Sequence, residues 1–229
     1  MQQTVTRGRK HKPLDSHQHR KHFWNNFKVV KRKGKMIRVQ LDENDMKYAE
    51  DFARRVIEEK KKEFVHQKDD INDLPRWMVG VLGEVALGKF LGVSIHDSSV
   101  GETTDYSVPD LYEPLGIRCG IKSFRLGNFP LTNRIHRKKQ TSLNAYPQIF
   151  IGIDMNEQIA YIYGVGSVDT LVRNEQDSRN DRFVKDANAL KRKVAFTKLC
   201  EMQSFKDKDS LETLVLDMQW SQTLKNLNR

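Results

Sequence analysis

Three polar residues in largely apolar surroundings could carry chemistry in this chain: Glu84, Asp110 and Lys122. Glu84 lies in RWMVGVLGEVALGKFLG (76–92), with Gly80 four residues before it and Gly88 four residues after, all on one helical face. Asp110 follows Pro109, and Lys122 lies in IRCGIKSF (117–124), where Arg118, Gly120 and Lys122 alternate with Ile117, Cys119 and Ile121. Acid, acid, lysine in that order suits metal-assisted hydrolysis of a phosphodiester. Magnesium prefers carboxylate and carbonyl oxygens and retains waters. Held by Asp110 and a strand carbonyl, it would polarise a phosphate oxygen and acidify a water. Lys122 would orient that water or meet charge growing on the phosphorus oxygens. Each residue also has an ordinary reading. Glu84 suits an exposed helix position, Pro109-Asp110 a turn, and Lys122 an edge strand with a snorkelling side chain. The coincidence of all three in this order favours chemistry.

Apolar periodicity sets the elements that would position these groups. Met46, Ala49, Phe52, Ala53, Val56, Ile57 and Phe64 predict a helix from Glu43 to about Gln67. Asp42 is its N-cap, and KMIRVQLD (35–42) before it reads as a strand or as a lead-in. After the polar connector 68–75, a second helix is expected from Pro75 to Leu91, with Met78, Leu82 and Val85 facing the core and Gly92 as its stop. IRCGIKSF (117–124), QIFIGID (148–154) and IAYIYGV (159–165) predict strands, the last two joined by the hairpin-length MNEQ. Helices are expected over 185–202 and 209–225, the latter with Leu211, Leu214, Val215 and Met218 as a stripe. The fold class is therefore α/β, a central mixed β-sheet flanked by α-helices.

The net charge of +10 over 229 residues is concentrated at one end. Residues 1–40 hold twelve Lys/Arg, among them Lys31, Arg32 and Lys33, against the single acid Asp15, so they carry +11. The remaining 189 residues sum to −1. The expected organisation is a basic, flexible arm over 1–40 that contacts nucleic acid, and a globular domain over 41–229. Phe23, Trp24 and Phe27 in the arm suit stacking on bases. A second basic run, SFRLGNFPLTNRIHRKKQTS (123–142), has no acid and carries Arg125, Arg134, Arg137, Lys138 and Lys139. It would track a phosphate backbone. No run approaches the ~18 apolar residues of a membrane span, and the N-terminus lacks the apolar core of a signal peptide. Cys119 and Cys200 suggest no disulfide framework, which fits a reducing cytoplasm. The histidines of the arm match no closed zinc site.

Glu84 in GEVALGKFLG, Pro109-Asp110 and Gly120-Ile121-Lys122, in that order, resemble the PD-(D/E)xK nuclease superfamily of restriction enzymes, resolvases and phage nucleases. QIFIGID and IAYIYGVGSV are similar to its later core strands, so the likeness spans roughly residues 76–170. It implies a restriction-endonuclease-like core, dependence on Mg²⁺ or Mn²⁺, and hydrolysis leaving a 5′-phosphate. By position Asp110 matches the first acid, Lys122 the catalytic lysine, and Glu84 the helical acid that some members add. The Ile121 carbonyl matches the backbone metal ligand. The chain departs from the pattern at Gly120, where the family has Asp or Glu. Glu84, Glu113 or Asp105 would have to compensate, and Asp105, in TDYSV, also competes with Asp110 as first acid.

The leading expectation is a Mg²⁺-dependent endodeoxyribonuclease of the cytoplasm, in a bacterial or phage-infected cell. Cleavage at a symmetric site would make it a homodimer. The alternative is a non-catalytic DNA-binding protein on a nuclease fold, with Gly120 marking lost chemistry. A third class is an interaction protein whose C-terminal helices recruit a nucleic-acid machine.

Overall fold

The computed structural model describes residues 36–62, 74–95, 109–126, 131–133, 146–173, 176–177, 193–196 and 199–227. Its elements in chain order are β1 (Ile37–Gln40), α1 (Glu43–Lys62), α2 (Leu74–Leu91), α3 (Tyr112–Leu115), β2 (Gly120–Arg125), β3 (Leu131–Asn133), β4 (Gln148–Asp154), β5 (Ile159–Gly166), α4 (Val168–Arg173), β6 (Gln176–Asp177), β7 (Lys193–Phe196), a 3₁₀ turn (Leu199–Glu201) and α5 (Lys208–Leu227).

Four strands form the main sheet in the order β1-β5-β4-β2. β1 and β4 run antiparallel to β5, and β2 runs parallel to β4 as the outer strand among the described residues. The β4–β5 hairpin closes through 155–158, where Asp154 Oδ1 accepts from the amides of Asn156 and Glu157. Strand alternation gives the sheet two apolar faces. Ile149, Ile151, Ile153, Ala160 and Ile162 lie on one, packed with Leu82, Leu87, Ala49 and Ala53 of the helices and with Leu211 and Val215 of α5. Phe124, Phe150, Tyr161 and Tyr163 lie on the other, against Leu171 of α4 and Leu199. The result is a mixed sheet with helices on both faces, an α/β arrangement.

β5 carries a bulge. Phe150 pairs with Gly164 but Ile151 with Ile162, so Tyr163 is the extra residue. Gly164 adopts φ 134°, and a β-carbon there would lie 2.5 Å from the Gln203 carbonyl oxygen. Only glycine permits that approach, and next to it Val165 and Gln203 exchange backbone hydrogen bonds of 2.8 and 2.9 Å.

Several sequence expectations meet the structure directly. KMIRVQLD contains a strand: Ile37 and Val39 pack on the core while Arg38 and Gln40 are exposed. Residues 37–40, assigned to the arm, thus belong to the sheet. Asp42 caps α1, its Oδ1 accepting from the amides of Asn44 and Asp45 at 2.9 and 3.0 Å. α2 is buried on nearly every side from Met78 to Gly88 and ends at Gly92, whose φ of 69° is left-handed.

Two expectations are corrected. The strand over 117–124 begins only at Gly120, because Ile117–Cys119 are tied to the preceding turn: Leu111 N donates to Cys119 O at 3.1 Å and Cys119 N to Ile117 O at 3.0 Å. The helix over 185–202 is contradicted by β7, in which Val194, Ala195 and Phe196 pair antiparallel with β3, and by the 3₁₀ turn after it. β3, β7 and β6 form a second, three-stranded sheet. Pairing with distant strands, invisible to a local helical period, decided that segment. Among the described residues, no helix is long and apolar enough to cross a membrane.

Candidate active site

Among the described residues β2 is an outer strand of the sheet, and its outer edge organises the site. Gly120 N donates to Pro147 O and Leu126 N to Ile153 O, so even-numbered residues of this strand turn their backbone groups toward β4. Odd-numbered residues turn theirs to the outer edge, since amides and carbonyls alternate sides together along a strand. Ile121 is one of these. Its amide donates to Asp110 Oδ2 at 2.5 Å, and its carbonyl points to the same edge. Asp110 is brought there by a tight turn, in which Tyr112 N donates to Pro109 O, leading into the single-turn α3. The left-handed Gly116 (φ 71°) closes α3 and returns the chain toward β2.

Asp110 is exposed as a residue, but its carboxyl end is turned onto Ile121 and is crowded there by protein atoms. Loss of hydration raises its pKa above the ordinary carboxylate value; the Ile121 amide, its own backbone amide and the positive charge of Lys122 pull the other way without cancelling that effect. Lys122, half-buried on β2, thus acts electrostatically on Asp110, while Phe124 on the same side packs into the core face opposite α2. Tyr146 shares this environment. Burial raises its phenol pKa first, and Asp110 and Cys119 add to the rise. Cys119 is fully buried with its thiol pKa driven far up, chiefly by burial, which fits core packing and not nucleophilic chemistry.

Glu84 lies half-buried on α2. Of the glycines flanking Glu84, Gly80 meets β2 through its carbonyl, which accepts from Ser123 Oγ at 3.5 Å. Gly80 is exposed, and Gly88 closes on the helix's own C-terminal loop, where a β-carbon would be 2.6 Å from Val93 O. Gly83 packs on the same residue of β2: a β-carbon there would fall 1.7 Å from Ser123 Oγ. Sequence reasoning missed that glycine, although its place one residue before Glu84 was a usable signal.

The space beside Gly120 was also missed. A β-carbon on Gly120 would lie 2.6 Å from Nε2 and 2.7 Å from Oε1 of Gln148, and 2.8 Å from Cε2 of Tyr146. Gln148 is Gly120's register partner on β4. The side of β2 where an acid was expected is therefore filled from the next strand.

Arg125, at the end of β2, is exposed. The other expected nucleic-acid contacts, Lys31, Arg32, Lys33, Arg134, Arg137, Lys138 and Lys139, lie outside the described residues, as does Asp105. Among the described residues no three His, Cys, Asp or Glu side chains group as a metal site. Any cation here would depend on oxygen donors beyond the carboxylates. Compared with known proteins, the chain matches no family model, no curated protein and no solved structure.

Proposed function

We propose that the chain is a metal-dependent endodeoxyribonuclease whose centre is the outer edge of β2. The observation that carries this reading is the Asp110 carboxylate bonded to the Ile121 amide, on the edge to which the Ile121 carbonyl also points, within electrostatic reach of Lys122. The donors converging there are oxygens, one ionisable and one neutral, the kind that Mg²⁺ or Mn²⁺ takes together with waters and substrate phosphate. Asp110, helped by Glu84 and the Ile121 carbonyl, would hold the cation. The bound cation would supply Lewis acidity and a more acidic water. Lys122 would orient the attacking water and stabilise negative charge on the phosphate. The restriction-endonuclease-like core belongs to this reading, supported by the mixed four-stranded sheet and the helix packed across β2. The +11 charge of residues 1–40 supports DNA as the polyanion.

The lack of a three-residue metal cluster among the described residues, together with Gly120, favours a second reading, a DNA-binding protein without cleavage. Incubating supercoiled plasmid with the full chain in Mg²⁺, Mn²⁺ or EDTA separates the two. The nuclease nicks or linearises only with metal, and Asp110→Ala and Lys122→Ala remove the activity. Salt-sensitive binding with no cleavage in any metal overturns the nuclease and leaves the second reading.

A further inference from the structure

The loss of a side chain at Gly120 is matched by the intrusion of one from β4. Two strands in register ordinarily present side by side the residues of one face. Here the Gln148 amide lies over the glycine, with both its oxygen and its nitrogen less than 3 Å from where a β-carbon would be. A side chain at 120 would have to displace that amide, so with glycine there the Gln148 amide occupies the space. Ile121, whose amide donates to Asp110 Oδ2, directly follows Gly120, so the Gln148 amide lies beside the peptide that the Asp110 carboxylate holds. A primary amide offers a neutral oxygen donor with two lone pairs, and hard divalent cations accept amide and backbone carbonyl oxygens beside carboxylates.

We infer that the Gln148 side chain, laid over Gly120, is the oxygen donor that completes the cation site of Asp110 and Ile121, replacing an acid on β2 by an amide on β4. This rests on the metal-dependent reading above. A site so built has one fewer negative charge than one with two carboxylates, and so it binds its cation more weakly and relies more on substrate phosphate.

Mn²⁺ titration of the full chain without DNA, followed by electron paramagnetic resonance and by calorimetry, tests this without any activity readout. Wild type is compared with Asp110→Ala, Gln148→Ala and the near-isosteric Gln148→Glu, with thermal melts verifying that each is folded. Gln148→Ala is expected to weaken Mn²⁺ binding about tenfold, and Gln148→Glu to tighten it about tenfold by restoring the missing charge. If Asp110→Ala abolishes binding but both Gln148 variants bind as wild type, the inference fails and the metal reading stands. Weaker binding by Gln148→Glu would mean that the amide serves Asp110 as a hydrogen-bond donor, and overturns the inference too. Mn²⁺ binding that is absent in wild type, or indifferent to Asp110, overturns the metal reading and the inference with it.

Discussion

Two places in this molecule set an aspartate near a lysine, and they do so to opposite effect. At the corner between α1 and α2, Lys89 Nζ donates to Asp42 Oδ2 at 2.7 Å and also to Asp45 Oδ2. Asp42 caps α1, and Asp45 Oδ2 accepts from the Asp42 amide in return at 2.8 Å, a reciprocal box of two carboxylates and two amides. The Lys89 hydrogen bond first, then the cap, hold the Asp42 pKa low, and the two aspartates hold that of Lys89 high. There the shared lysine and the cap amides hold both carboxylates ionised near the surface. At the β2 edge the Asp110 carboxyl has one strong donor and a nearby lysine, and desolvation wins. A carboxylate that folding makes less comfortable is the one with free energy to gain from a cation, which makes it the functional candidate.

The comparison can be broken most sharply at the edge. Asp110→Ala or Lys122→Ala should reduce plasmid cleavage by about 10²–10³-fold or more, in line with the loss of a single charge-stabilising group, while the thermal midpoint stays near wild type. Replacing Lys89 by Met should leave cleavage unchanged. A corner variant that impaired cleavage as strongly as an edge variant would erase the distinction.

Next in size is the corner's role in folding. Removing the cap and ion pair with Asp42→Ala should lower the thermal midpoint by about 2–4 °C, most of it from the cap. Lys89→Met, which removes only the exposed ion pair, should shift it by about 1 °C or less.

The two aspartates should also differ in sign with pH. Asp42, with its folded pKa lowered, adds stability above its unfolded value and loses it as pH falls through the folded one. Asp110, with its folded pKa raised, does the reverse. Its ionised form subtracts stability above the folded value, and acidification below the unfolded value removes that penalty. Asp110→Asn keeps an acceptor for the Ile121 amide, so it should raise the midpoint at neutral pH by about 1–2 °C and make no such gain near pH 3. Melts of wild type and variant across that range check the sign, and a loss at neutral pH would contradict it. Because a cation needs the ionised carboxylate, wild-type cleavage should rise with pH as Asp110 ionises, at a pH shifted up from that of an ordinary aspartate.

Local pattern carried a good deal of this. Glu43 and Asp42 marked the start of α1 because a helix start is a matter of one cap and a period. QIFIGID and the following IAYIYGV match β4 and β5, since β-branched and aromatic runs joined by a four-residue turn satisfy themselves as a hairpin. β7 escaped because its partners, Leu131–Asn133 and Gln176–Asp177, are far along the chain, and a short stretch with mixed propensity takes the state its partners offer.

For the candidate site the division is similar. Residue type and order singled out Asp110 and Lys122 before any fold was known, because a charged group beside apolar neighbours is a local anomaly that sequence displays, and the nuclease resemblance implied the Ile121 carbonyl. Which backbone amide Asp110 meets, that β2 is the outer strand among the described residues with Ile121 turned outward, that Gly83 and Gly80 both meet Ser123 of that strand, and that Gln148 fills the space over Gly120 were all decided by register and packing. Those depend on which residues distant in the chain come within a few ångströms, and close packing leaves one arrangement where the sequence alone allows many.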